Sequence, residues 1–181
     1  MTQNESIFTQ AIADVSLISE LACNHFLQSD FYNGICWSDS KTNADKIKTI
    51  LNLSGICNPA MMQMCLYALL VMPKELLKKE DSCEERFNKE SRKMAIPLSY
   101  ESNYPDEESI ERCNLYRHLR NAVAHSRCEY SIENRMCYVT FIDKDDHKGY
   151  HFHAKFLTED IGKLMDILRQ EMMIRLNSGR V

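Results

Sequence analysis

Residues 60–72, AMMQMCLYALLVM, are apolar on nearly every side. A helix with no polar face cannot rest on a surface, so this run predicts a helix at the centre of the core. Asn58 and Pro59 precede it. An asparagine cap followed by proline at the first helical position is a helix start. Pro73 lacks a backbone donor and is expected to kink or split the helix. The methionines of the run also suit an adaptable binding surface, but core packing is the stronger reading. No apolar run in the chain approaches the roughly 18 residues of a membrane span.

The rest of the chain reads as helix-rich with one β element. Ile7, Ala11, Val15, Ile18, Ala22 and Phe26 keep helical spacing and predict a first helix over about residues 5–29. The segment FYNGICWSDS is a loop whose Phe31, Tyr32 and Trp37 suit either base stacking or packing beneath the loop. A short helix follows in ADKIKTILNL, and KELLKKEDSCEERFNKESRK reads as a solvated charged helix or linker. Residues 97–106, with two prolines, read as a connection bordering the active cleft. A second amphipathic helix is expected over about 106–125, with Asp106, Glu107 and Glu108 in its first turn. CEYSI and MCYVTFI predict a hairpin, DKDDHKG a polar turn and YHFHAKF a third strand, a β element spanning about 128–154. A last helix is expected from Thr158 to about 176. At 181 residues, with five glycines and four prolines, the chain has the length and composition of a single globular domain.

The chemistry concentrates in RNAVAH, Arg120 to His125. Each helical residue turns about 100° from the last. Arg117, Asn121 and His125 therefore fall on one stripe, Arg120 flanks it, and Leu115, Leu119, Ala122 and Val123 take the core side. From Arg112 to Arg127 there are four arginines and no acid, in a chain with 22 basic and 26 acidic residues. Such a patch reads as a local anion site. Arginine offers a permanently charged fork matched to phosphate oxygens. Histidine exchanges protons near neutral pH. Together with an amide they equip a site to cut RNA without a metal: a base activates the 2′-hydroxyl and arginine stabilises charge on the phosphate. The plain reading stands beside it, with His125 a C-terminal helix cap and Arg120 a surface ion-pair partner.

The segment Tyr116 to Arg127, YRHLRNAVAHSR, resembles the signature of the HEPN superfamily (higher eukaryotes and prokaryotes nucleotide-binding domains). Arg120 matches the signature arginine, Asn121 the polar residue that often follows it, and His125 the histidine. The resemblance implies a mainly α, HEPN-like helical bundle with a small antiparallel β-hairpin or sheet after the motif helix. It also implies a metal-independent endoribonuclease that leaves a 2′,3′-cyclic phosphate, of the kind found among toxins and anti-phage effectors. Arg120, Asn121 and His125 would be catalytic, with Arg117 and Arg127 extending the phosphate track. RNA is the implied partner, with a homodimer that brings a second His125 into one cleft, and a cognate antitoxin or activating partner. Other HEPN members are non-catalytic nucleotide-binding or interaction modules, and that alternative stays open.

No cofactor or metal is expected. The chain has no GxxxxGK[ST], GxGxxG, HExxH or GxSxG pattern. Its eight cysteines include no CxxC pair and read as reduced core thiols. His151 and His153 share one side of a strand, yet no carboxylate or cysteine at a persuasive spacing completes a metal site. The N-terminus lacks the basic and apolar regions of a secretory signal, so a cytoplasmic protein is expected.

Overall fold

The apolar run is helical, and Pro73 reshapes it without ending it. Helix α1 (Pro59–Leu66) passes into one π-helical turn, Tyr67–Val71, and continues as α2 (Met72–Leu76). Proline cannot donate to the carbonyl four residues back, and its ring clashes with that carbonyl. Widening the preceding turn removes the clash: the Met72 N–H donates to the Tyr67 carbonyl, five residues back. Leu66, Ala68, Leu69, Leu70 and Val71 are buried, whereas Met64 and Tyr67 are 65% and 45% exposed. The helix is central but keeps one open side. This computed structural model describes residue 10 and residues 59–76, 81–94, 97–134 and 136–177. Apart from Gln10, which is helical, the expected first helix, the aromatic loop and the short helix that follows it lie outside the described residues.

The expected helical bundle with a small β appendage is not what the described residues build. They form an α+β arrangement around a four-stranded antiparallel sheet, ordered β1-β4-β3-β2. The strands are β1 (Ser99–Ser102), β2 (Cys128–Glu133), β3 (Met136–Asp145) and β4 (Tyr150–Leu157). Val139 and Phe141 of β3 alternate inward with Phe152, Ala154 and Phe156 of β4, and all five are fully buried. One face of the sheet thus supplies core equal in kind to the helices. Strand β1 falls in the segment expected to be a connection. Pro97 and Pro105 lie outside it, and four of the seven residues between them pair, from Ser99↔Lys155 to Ser102↔Phe152. Prolines that flank an edge strand cost no ladder bonds. Strand β3 also runs three residues into the expected polar turn, to Asp145, because Asp143 points into the core and finds partners there.

Helix α3 (Asp81–Met94) is charged but not wholly solvated. It buries Phe87, Asn88 and Ser91, and Phe87 meets Tyr116 edge-on at 5.5 Å. Helix α5 (Thr158–Asn177) buries Ile161, Leu164, Ile167, Leu168 and Met172. Among the described residues no helix is long and apolar enough to cross a membrane.

The motif helix α4 (Leu115–Ala124) is shorter than its polar pattern predicts. Residues 106–114 form successive turns, with Arg112 and Cys113 both donating to the Ser109 carbonyl at 3.1 Å. The helix starts at Asn114, whose side chain accepts from the Arg117 N–H at 3.1 Å. Asn88 supports this start: its Oδ1 accepts the Tyr116 N–H at 2.9 Å and its Nδ2 donates to Asn114 Oδ1 at 3.0 Å. The helix ends in a Schellman motif. Arg127 N–H donates to the Ala122 carbonyl at 2.8 Å and Ser126 N–H to the Val123 carbonyl at 3.2 Å. This places His125 as the last helical cap and Ser126 in the left-handed region at φ 54°.

The cap geometry is testable. A β-branched side chain is poorly tolerated at positive φ, so Ser126→Val is expected to lose about 1–2 kcal/mol in urea denaturation, while Ser126→Gly loses none. Equal stability of wild type and Ser126→Val would contradict this helix end.

Candidate active site

The stripe on α4 opens onto one cleft. Arg117, Asn121 and His125, one turn apart, line a cavity of about 820 Å³ together with Arg127 from the segment after the helix. Its opposite wall comes from the end of β3 and the β3–β4 turn, and Tyr104, Pro105 and Glu107 close a third side. His125 is exposed at the helix end. Arg120 is not among the lining side chains. Its Nη2 donates to Asn121 Oδ1 at 3.1 Å, and Asn121 Nδ2 donates to Asp143 Oδ2 at 3.0 Å. The amide therefore bridges the signature arginine to a buried acid.

Beneath the cleft lies a charged cluster centred on His118. Its Nδ1 is 2.7 Å from Asp143 Oδ2 and its Nε2 is 2.6 Å from Glu107 Oε2. All three side chains are buried. Arg117 Nη2 donates to Glu107 Oε1 at 2.9 Å and also lies 3.0 Å from His118 Nε2. One ring nitrogen cannot both donate to the carboxylate and accept from the guanidinium. The shorter contact, to a charged acceptor, decides the roles: Nε2–H donates to Glu107, and Arg117 shares that carboxylate. An imidazolium satisfies both acids, so two negative and two positive groups balance inside the fold. The ring is stacked flat against Phe152 at 4.3 Å and lies 4.7 Å from Tyr104, over which Arg117 also sits.

These contacts leave their mark on proton affinities. Burial pushes the Asp143 carboxyl up, but hydrogen bonds from His118 and Asn121 outweigh it and hold the group below the usual carboxylate range. The Tyr104 phenol is pushed up to about 12, first by burial and then by the Asp143 charge. The Cys113 thiol rises to about 12, chiefly by burial, and stays protonated.

The basic run of the sequence does not become a net basic patch. Arg117, Arg127, Lys144 and Lys148 line the cleft, but Glu107, Asp143, Asp145 and Asp146 do too. The two inner acids are held by His118, Arg117 and Asn121. Asp145 Oδ1 accepts the His147 and Lys148 N–H groups at 3.1 Å and so shapes the turn. Arg127, Lys144 and Lys148 share the outer rim with Asp145 and Asp146.

His151 and His153 lie outside this cleft. Their rings are 5.9 Å apart on the half-exposed face of β4, and His151 pairs with Glu101 at 3.3 Å. Among the described residues, Glu107, Cys113 and His118 bring their donor atoms within 4.8 Å of one another, the spacing of a metal site. As arranged, Glu107 and His118 are hydrogen-bonded directly to each other at 2.6 Å.

Sequence reasoning missed His118 and Asp143, and took Glu107 only as an acid of the first helical turn. A signal existed for the first: on the helical wheel His118 lies between the polar stripe and the core side, where a histidine must find buried partners. Nothing local marked those partners, which lie 11 and 25 residues away.

The cluster yields a pH prediction. Asp143 has a lowered folded-state pKa, so its contribution is present above the ordinary carboxylate range and is lost as pH falls through the folded value. Asp143→Asn is therefore expected to be less stable than wild type at neutral pH, with the gap closing in acid when thermal unfolding is followed against pH. A pH-independent gap would contradict the charged cluster.

Comparison with curated proteins and with solved structures gives no match. A family model described as HEPN pEK499 p136 matches residues 3–173. That match takes in the apolar helix, the sheet and the whole cleft, and the chain belongs to this HEPN family.

Proposed function

We propose that this protein is a metal-independent endoribonuclease of the HEPN type. The observation that carries the reading is the convergence of Arg117, Asn121, His125 and Arg127 on one cleft, with an exposed imidazole at its mouth. A phosphodiester seated there meets Arg127 and Arg117, whose guanidiniums suit phosphate oxygens. His125 takes the proton of the 2′-hydroxyl as that oxygen attacks the adjacent phosphorus. Arg120 acts through Asn121, fixing the amide that borders the attacking group. Rim cations stabilise the charge that develops on the phosphoryl oxygens.

The balanced lining and the chain's net charge of −4 disfavour indiscriminate RNA binding. They suit an effector with a defined target, held in check by a partner, as in a toxin or an anti-phage system. The second reading is a non-catalytic nucleotide-binding module. It draws support from Arg117 and Arg120, which are both engaged by side chains of the same chain.

The test is cleavage of cellular RNA in EDTA. Wild type is expected to cut, His125→Ala to lose about 10²-fold or more, and Arg120→Ala and Arg127→Ala to be weakened while remaining folded. A wild type that binds nucleotide yet cuts no RNA, alone or with its partner, would favour the binding module. Variants that cut as well as wild type would remove these residues from the reaction.

A further inference from the structure

Cutting RNA by 2′-hydroxyl attack needs two proton transfers, one from the attacking oxygen and one to the leaving oxygen. The stripe on α4 offers a single histidine for them. The structure brings a second to the same cleft from a distant part of the chain. Strand β2 pairs with β3 only up to Cys128↔Phe141, so residues 142–145 of β3 extend past the start of β2. That overhang runs beside the end of α4: Ile142 N–H donates to the Arg127 carbonyl at 3.0 Å, and Arg127 Nη1 donates to the Lys144 carbonyl at 3.1 Å. The overhang leads into the turn that carries His147, and His125 and His147 both line the cavity.

The turn is held in place rather than left hanging. Asp145 caps its backbone at His147 and Lys148. Asn103 Nδ2 donates to the Gly149 carbonyl at 3.1 Å, and Asn103 Oδ1 accepts the His151 N–H at 2.6 Å. Gly149 takes φ 69°, which the tight return to β4 requires. The side chain of His147 is exposed. Its backbone is thus fixed by neighbours while the residue is exposed and lines the cleft, the disposition a proton donor to a bound substrate needs.

We infer that His147 is the general acid of this cleft, working opposite His125 within one chain; the inference rests on the nuclease reading. Neutral His125 accepts the proton of the 2′-hydroxyl, and the 2′-oxygen forms a bond to phosphorus. The bond from phosphorus to the 5′-oxygen breaks, and that oxygen takes a proton from the imidazolium of His147. The products are a 2′,3′-cyclic phosphate and a 5′-hydroxyl. Solvent then returns both histidines to their starting states. A second protomer is not needed to supply the acid.

The leaving group separates the two roles. Uridine 3′-(4-nitrophenyl phosphate) releases a phenolate that needs no proton, whereas a dinucleotide releases an alkoxide that does. His147→Ala and His147→Gln are expected to slow dinucleotide cleavage about 10²-fold or more while staying within a few-fold of wild type on the nitrophenyl ester. His125→Ala is expected to lose both. An equimolar mixture of His125→Ala and His147→Ala is expected to cut the dinucleotide no faster than the His147→Ala protein alone, because each chain lacks half of its own pair. His147 variants that match wild type on the dinucleotide, or fall equally on both substrates, would overturn the assignment. Recovered activity on mixing would place the two histidines in different protomers and overturn it as well. A wild type inert on both substrates would sink the nuclease reading itself, a result distinguishable from the others.

Discussion

The structure turns on a histidine that sequence alone presents as one polar residue among many. His118 sits fully buried between Glu107 and Asp143, with Arg117 closing the cluster and Phe152 stacked on its ring. Each partner belongs to a different segment: the turns before α4, the helix itself, and the end of β3. A buried charge left without its partner costs several kcal/mol, about 3–5 when one member of such a pair is removed. The three segments are therefore locked to one another, and the cleft is the surface of that lock. With the inner acids held below, the cleft above them presents the imidazoles of His125 and His147, the cations Arg127, Lys144 and Lys148, the acids of the β3–β4 turn and the bridging amide.

Much of the helical frame was legible because it rests on local patterns. The apolar run at 60–72 needed only its own composition to be placed in the core, and the face of α5 follows from helical spacing. What was not legible depends on partners distant in the chain. Helix α4 begins at Asn114 and not near 106 because Asn88, on another helix, fixes the first turn, while Glu107 is drawn inward to Arg117 and His118. Strand β1 looks like a proline-rich connection until β4 lies beside it. Asp143 looks like turn residue until His118 receives it. The sheet was expected to be small for the same reason: its weight in the core comes from inward residues of two strands facing helices, a sum no single segment displays.

The stripe Arg117–Asn121–His125 was readable from helical periodicity, and the cleft gathers all three. Periodicity alone did not show that Arg120 turns aside to Asn121, or that acids from β3 offset the run of arginines. Family membership and geometry thus bear on different questions. Family membership rests on the match over residues 3–173. The geometry shows the amide tied into a buried ion cluster and His125 exposed at the end of the motif helix.

Whether that arrangement cuts RNA through its own 2′-hydroxyl is the central claim. The most direct measurement uses an oligoribonucleotide cut at one defined position, with a single 2′-deoxy nucleotide placed there, incubated with the protein in EDTA. The account predicts cleavage of the all-ribose strand to a 2′,3′-cyclic phosphate and no cleavage at the deoxy position. Cleavage at the deoxy position, or cleavage of the ribose strand only when a divalent metal is restored, would contradict it.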